Sequence, residues 1–216
     1  ITATGGVLSV AKSGENPQFT EEEIEAITST AKDYGMSVAA HAHGDEGMYR
    51  AVASGVKTIE HGTLMSKRTM KLMIEKQAYL VPTITAGKQV VEKAKIPGYY
   101  PAIIVPKALK VGPKIQETFR KAYEMGVPIA FGTDAGVFSH GLNGKEFGYM
   151  VEVGMPASEA LQTATIVNAS VLDQEDKIGQ IINGIVKRVE YGNIFLDLGK
   201  AEAYMRKDET IPRETF

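Results

Sequence analysis

The sequence contains no cysteine and no apolar run long enough to cross a bilayer. The first absence excludes disulfides and thiolate metal sites and leaves the redox compartment unreadable. The second excludes a membrane-spanning helix, so a soluble, cytoplasmic protein is the expectation. A strong excess of charge of one sign is also missing. A formal net charge of −2 over 216 residues gives no chain-wide surface for nucleic acid or an anionic membrane. Low-complexity tracts and helical repeats are absent, and no signal peptide opens the sequence. Ile1-Thr2-Ala3-Thr4-Gly5-Gly6 instead reads as the end of a strand, so further sequence is expected upstream. What remains is an ordinary globular composition, 44% hydrophobic and 23% charged, long enough for one sizeable core or one domain with an appendage.

Histidine is scarce as well, and the positions of the four present are informative. Ser37 to Ala40 runs into His41-Ala42-His43-Gly44. Val56 to Glu60 runs into His61-Gly62. Val127 to Thr133 runs into Asp134-Ala135-Gly136, with His140 shortly after. A β-like run that ends in a ligand-type side chain and is followed by a helix is how a parallel α/β barrel presents chemistry at one rim. Two neutral imidazoles and a carboxylate on adjacent strand ends suit a divalent metal with room for water.

From Thr20 to Asp134 the sequence alternates between the two periods. Thr20 with Glu23 forms a capping box ahead of a helix that Gly35 stops. Met36–Ala40 reads as a strand, Glu46–Ser54 as a helix, Val56–Glu60 as a strand, Ser66–Gln77 as a helix and Ala78–Thr83 as a strand. Residues 88–106 read as a long rim loop or lid, in which Tyr99 and Tyr100 either meet a substrate or pack the loop. Ala108–Met125 is helical, and a strand leads to Asp134. Two helices follow, Glu146–Val153 and Ala157–Ser170, with Pro156 at the start of the second. This order implies parallel strands joined by right-handed crossovers. Met65, Met70 and Met73 are expected to pack helices, and Gly5-Gly6 to make a tight turn rather than a phosphate cradle.

The motifs HAHG, IEHG and FGTDAG, in that order, resemble the amidohydrolase superfamily, in its imidazolonepropionase-like and Xaa-Pro dipeptidase-like branch. ATGGVLS, GDEGMYRAVASGVKTIEHGT and TDAGVFSHG…EFGYMVEVGMP extend the likeness over residues 1–178. The resemblance implies a (β/α)8 barrel, of which this chain would hold the fourth to eighth units. It also implies a binuclear divalent metal site, with zinc the expected ion. His41 would be the ligand from the fifth strand, His61 from the sixth and Asp134 from the eighth. A bridging carboxylated lysine is expected just before Ile1, and the first-strand His-x-His pair lies outside these residues. Asp134 would act as ligand and general base, and His61 would also polarise the scissile carbonyl. His43 is expected on the opposite side of the strand or in the loop beyond it, as a rim residue near substrate. His140 reads either as a substrate contact or as a surface histidine. The implied reaction is metal-dependent hydrolysis of a peptide or amide C–N bond in a small substrate.

The grammar changes near Asp176. Residues 177–216 read as a β-rich unit of short antiparallel strands, 181–189, 194–198 and 201–206, with turns at Tyr191-Gly192-Asn193 and Gly199. Here the chain departs from the amidohydrolase pattern. GQIINGIVKRVEYGN and FLDLGKAEAYMRKDETIPRETF resemble the RNA-binding OB-fold segment of the transcription factor NusA. The domain reading is therefore an amidohydrolase barrel fragment at 1–176 and a β appendage at 177–216, joined as in a chimera. A recombined chain without turnover is the competing reading, and RNA binding by the aromatic and basic tail a third, against which stands an ordinary solvated hairpin. Self-association is expected, because a partial barrel exposes sheet edges.

Overall fold

Thr20 starts the first regular element. Its hydroxyl accepts from the Glu23 N–H at 3.3 Å, and the Glu23 carboxylate accepts from the Thr20 N–H at 2.8 Å. Two backbone donors that helix geometry leaves without partners are thereby matched. Helix α1 (Glu21–Asp33) follows, with three acidic residues in its first turn and Lys32 in its last, both in the sense the helix dipole favours. The structure, a computed structural model, describes residues 1–10, 13–177, 184–199 and 202–209. They fall into two compact units, Ile1–Glu175 and Asp176–Phe216.

In the first unit strand and helix alternate: β1 (Ala39–Ala42), α2 (Asp45–Ala53), β2 (Thr58–His61), α3 (Lys67–Lys76), β3 (Tyr79–Val81), α4 (Ile84–Ala94) and α5 (Val105–Met125). The strands are parallel in the order β1-β2-β3. Ala39 lies opposite Thr58, Ala42 opposite His61, and Glu60 opposite Val81. Isolated parallel bridges, Thr2 with His41 and Leu80 with Ile129, extend the sheet on either side. Every segment therefore runs the same way, and their C-terminal ends share one edge. Helices α6 (Lys145–Glu152) and α7 (Ala157–Gln162) come next. A π-helical turn at Thr163–Val167 then leads into α8 (Asn168–Val171).

The core lies between sheet and helices. Ala40, Ala42, Ile59 and Leu80 face the buried side, against Met48, Met70 and Met73. A fully buried side chain of Leu, Ile or Met size contributes about 1.5–3 kcal/mol. The methionines pack as expected.

Two expectations are corrected. The segment 88–106 is not an extended rim loop, since α4 runs to Ala94 and α5 begins at Val105. Ile84, Gly87, Val90 and Ala94 recur at helical spacing and are buried, but intervening Lys and Glu residues hide that stripe in the sequence. Glycines let α4 and α5 approach closely: a Cβ on Gly112 would stand 2.8 Å from the Gly87 carbonyl oxygen. The run towards Asp134 is not a full strand and keeps one bridge, at Ile129. Beyond it the Asn168 side chain takes the place of a neighbouring strand, accepting from the Phe131 N–H at 3.0 Å and donating to the Phe131 carbonyl at 2.9 Å.

The second unit is an antiparallel meander of β4 (Ile185–Glu190), β5 (Asn193–Asp197) and β6 (Glu202–Met205). Tyr191 and Gly192 join the first two strands with φ of +54° and +85°, the two positive values a type I′ hairpin requires. Arg188, Phe195 and Tyr204 form one cross-strand row, with the guanidinium carbon 3.8 Å from the Phe195 ring centre. Lys187 pairs with Glu202 at 2.8 Å and Arg188 with Glu190 at 2.9 Å, so these cations already have carboxylate partners. Among the described residues no helix is long and apolar enough to cross a membrane.

Candidate active site

The C-terminal edge of the parallel sheet gathers the functional side chains. His41 lies in β1, His43 just past its end, His61 closes β2, Thr83 follows β3, and Asp134 follows the Ile129 bridge. Three of these hold left-handed backbone: His61 at φ +73°, Thr83 at +51° and Asp134 at +55°. Non-glycine residues, β-branched ones above all, avoid this region, and such outliers persist where the surroundings over-determine them. Gly62 follows His61 at φ +61°, and a Cβ there would collide with the Leu80 side chain.

Hydrogen-bond partners assign the ring protons. His41 Nε2 lies 3.3 Å from the Gly5 carbonyl oxygen, which can only accept, so Nε2 carries the proton and Nδ1 a lone pair. His61 Nε2 stands 2.8 Å from His41 Nδ1 and therefore donates to it. His61 Nδ1 in turn accepts from the Thr83 hydroxyl at 2.7 Å. His43 Nδ1 pairs with the Thr63 hydroxyl at 2.7 Å, and its backbone N–H donates to Thr4 Oγ1 at 2.8 Å. The three ring centres lie 4.7–4.9 Å apart, with His43 stacked on His61. His43 is thus not on the opposite side of the strand. Positions i and i+2 of extended chain share a face, so His43 joins the cluster that His41 begins.

Burial pushes His43 down to about 2 and His61 down to about 3, with the neighbouring rings adding to the effect. Burial also lowers His41, against the Gly5 carbonyl and Asp134, which favour its charged form. All three rings are neutral near pH 7, the state in which imidazole ligates metal. Partial burial raises the Asp134 carboxyl, with His41 pulling it back.

This donor set fits a divalent cation. One ring nitrogen from each of His41, His43 and His61 lies within 4.8 Å of the others. Two nitrogens each about 2.1 Å from one tetrahedral zinc stand about 3.4 Å apart, so the widest pair would close by up to about 1.4 Å on binding. Asp134 lines the same cavity, of about 240 Å³, without entering that cluster. The far wall is apolar, with Ala86, Gly87 and Val90 from α4 facing Val111, Gly112 and Ile115 from α5. His140 is exposed and does not line the cavity. Reading the sequence missed Thr63 and Thr83. A threonine just beyond each of two successive strands, in HGT and PTIT, was the available signal.

The Amidohydrolase family model matches residues 1–184, and the chain belongs to that family. Its fold is the (β/α)8-type α/β fold of those proteins. The structure of a Xaa-Pro dipeptidase with bound methionine in its active site superposes with a TM-score of 0.81 at 59% identity, over 92% of this chain and 48% of that one. Ochratoxinase of Aspergillus niger is 31% identical over 195 residues, 85% of this chain and 38% of its own length. The chain therefore spans less than half the length of either. A short likeness accompanies these: transcription termination/antitermination protein NusA of Rickettsia conorii is 57% identical over 44 residues, 20% of this chain and 9% of its own length.

Proposed function

We propose that the first unit is the fourth-to-eighth portion of a (β/α)8 barrel and carries part of a zinc-dependent hydrolase site for small peptides or amides. The observation that carries this reading is the convergence of three neutral imidazoles and Asp134 on one apolar cavity. His41 Nδ1 and His61 Nε2 face each other, and their far nitrogens are tied to Gly5 and Thr83, so the facing pair would hold the metal, with His43 beside it and Asp134 across the cavity. A carboxylated lysine preceding Ile1 and a first-strand histidine pair would complete a binuclear site. When bound, zinc supplies a water of lowered pKa and polarises the scissile carbonyl.

The remaining steps belong to the chain. The apolar wall from α4 and α5 seats the substrate's side chain and excludes water. Asp134 accepts a proton from the attacking water as the C–O bond forms. It then delivers that proton to the leaving nitrogen as the C–N bond breaks, so the carboxylate is regenerated. A dipeptide with proline or a basic residue at its C-terminus is the proposed substrate class, supported by the likeness to the Xaa-Pro dipeptidase.

The test pairs zinc titration with dipeptide hydrolysis, using the chain alone and the chain extended upstream by the lysine and the histidine pair. Asp134→Asn is expected to lower kcat by roughly 10²–10⁴ in the extended protein while leaving its circular dichroism unchanged. Full activity in Asp134→Asn would sink the assignment of the base. The NusA likeness favours a second reading, a chimeric chain without turnover. Chelator-sensitive hydrolysis by the 216-residue chain alone would exclude it.

A further inference from the structure

We propose that Glu146 is a positioning residue for His61, acting through the first turn of α4 and the Thr83 hydroxyl. The inference rests on the reading of His61 as a metal ligand.

Glu146, in α6, is fully buried. A buried carboxylate is costly unless strong donors surround it. Its Oε1 accepts from the Ile84 N–H at 2.6 Å, and its Oε2 accepts from the Thr85 N–H at 2.7 Å and the Thr85 hydroxyl at 2.5 Å. All three donors belong to the first two residues of α4. The N-cap of α4 is Thr83, a residue type whose hydroxyl ordinarily caps its own helix. Here that hydroxyl makes no cap bond. It is turned to His61 Nδ1 at 2.7 Å, on backbone held at φ +51° and ψ +44°. Glu146, some sixty residues further along, has taken over the cap and so releases the threonine for the imidazole. Three bonds to the two residues after Thr83 also hold the strained conformation that aims its hydroxyl.

A hydroxyl can donate or accept. Thr83 therefore serves His61 in both of its forms: with the proton on Nε2, as in this structure, and with the proton on Nδ1, as a ligand bound through Nε2 requires. His43, held by Thr63 rather than Thr83, provides an internal control.

The experiment uses the 216-residue chain with Glu146→Gln, Thr83→Val, Thr83→Ser and the Glu146→Gln/Thr83→Val double variant. It reads zinc affinity by chelator competition, ring tautomers by long-range ¹H–¹⁵N NMR of the metal-free chain, and thermal unfolding. Glu146→Gln is expected to shift the His61 ring signals but not those of His43, and to weaken zinc about 10–100-fold. Thr83→Val should do the same, Thr83→Ser should retain affinity, and the double variant should be no weaker than Thr83→Val alone. Unchanged His61 signals in Glu146→Gln, or additive losses in the double variant, overturn the proposal. If Glu146→Gln does not fold, Thr85→Val removes one donor to the carboxylate and decides the matter by the same His61 signals. If the unsubstituted chain binds no zinc, the metal reading fails, while the NMR arm still decides the role of Glu146.

Discussion

β2 and β4 are both rich in β-branched residues, yet Thr58 and Ile59 of β2 are buried while β4 is exposed along its whole length. Ile59 is held by a parallel neighbour on each side and by the helix layer. β4 is held by pairing with β5 on one side and by the geometry of its turn. Each unit also contains positive φ values at non-glycine residues, but with different meaning. Tyr191 adopts one because a two-residue hairpin asks for it. In the first unit Gln77 adopts one at a helix end, whereas His61, Thr83 and Asp134 adopt theirs at the cavity or next to a residue that lines it. Positive φ gathered at one sheet edge marks the site; a single one native to a turn marks only a turn.

The contrast is tested most strongly by core deletion. Ile59→Ala is expected to destabilise the first unit by about 2–5 kcal/mol. Val189→Ala, on exposed β4, should change stability by no more than about 0.5 kcal/mol. Urea unfolding followed by circular dichroism reads both, and comparable losses would abolish the distinction between the units.

Helix boundaries were legible where local chemistry decides them. Thr20 and Glu23 announce α1, Ser66 announces α3, and Gly126 ends α5. The tail hairpin was legible for the same reason, through Tyr191-Gly192. α4 was hidden because its apolar stripe is interrupted by Lys88 and Lys93, which are half-buried against the Tyr149 ring and the Val137 carbonyl. Of the site, the motifs pointed to His41, His61 and Asp134, but not to His43 as a member of the cluster. The Thr83 hydroxyl and the Glu146 carboxylate were illegible for a deeper reason. Each acts on a residue brought near only by the crossover topology, and a positive φ leaves no trace in a threonine.

A subtler difference between the units appears in acid. In the metal-free chain the folded His43 and His61 stay neutral down to about 2 and about 3, while the same rings in the unfolded chain take up protons near 6.5. Protonation therefore favours the unfolded chain. Stability is complete above about pH 6.5 and is lost as pH falls below it. Asp134, Glu60 and Glu146 have raised values and act with the opposite sign, in the lower carboxylate range. Urea midpoints measured between pH 7 and pH 5 should fall for the first unit, and His43→Asn, which cannot titrate there, should flatten the fall. An equally steep fall in His43→Asn would remove His43 as a cause.

A more local effect belongs to the hairpin turn. Gly192 holds φ at +85°, where a side chain is strained, and a Cβ there would also press on the Lys207 side chain, whose flexible stem can move aside. Gly192→Ala should therefore cost about 1 kcal/mol, mostly from the backbone. Asn tolerates the left-handed region better, so Gly192→Asn should cost less. The loss should stay local because register in β4–β5 depends on this turn. Amide hydrogen exchange should accelerate at Ile194 and Leu196 and remain unchanged at Ile59 and Leu80. Acceleration in the parallel sheet as well would mean that the two units do not open independently. The separation of a buried, site-bearing sheet from a turn-held hairpin would then be wrong.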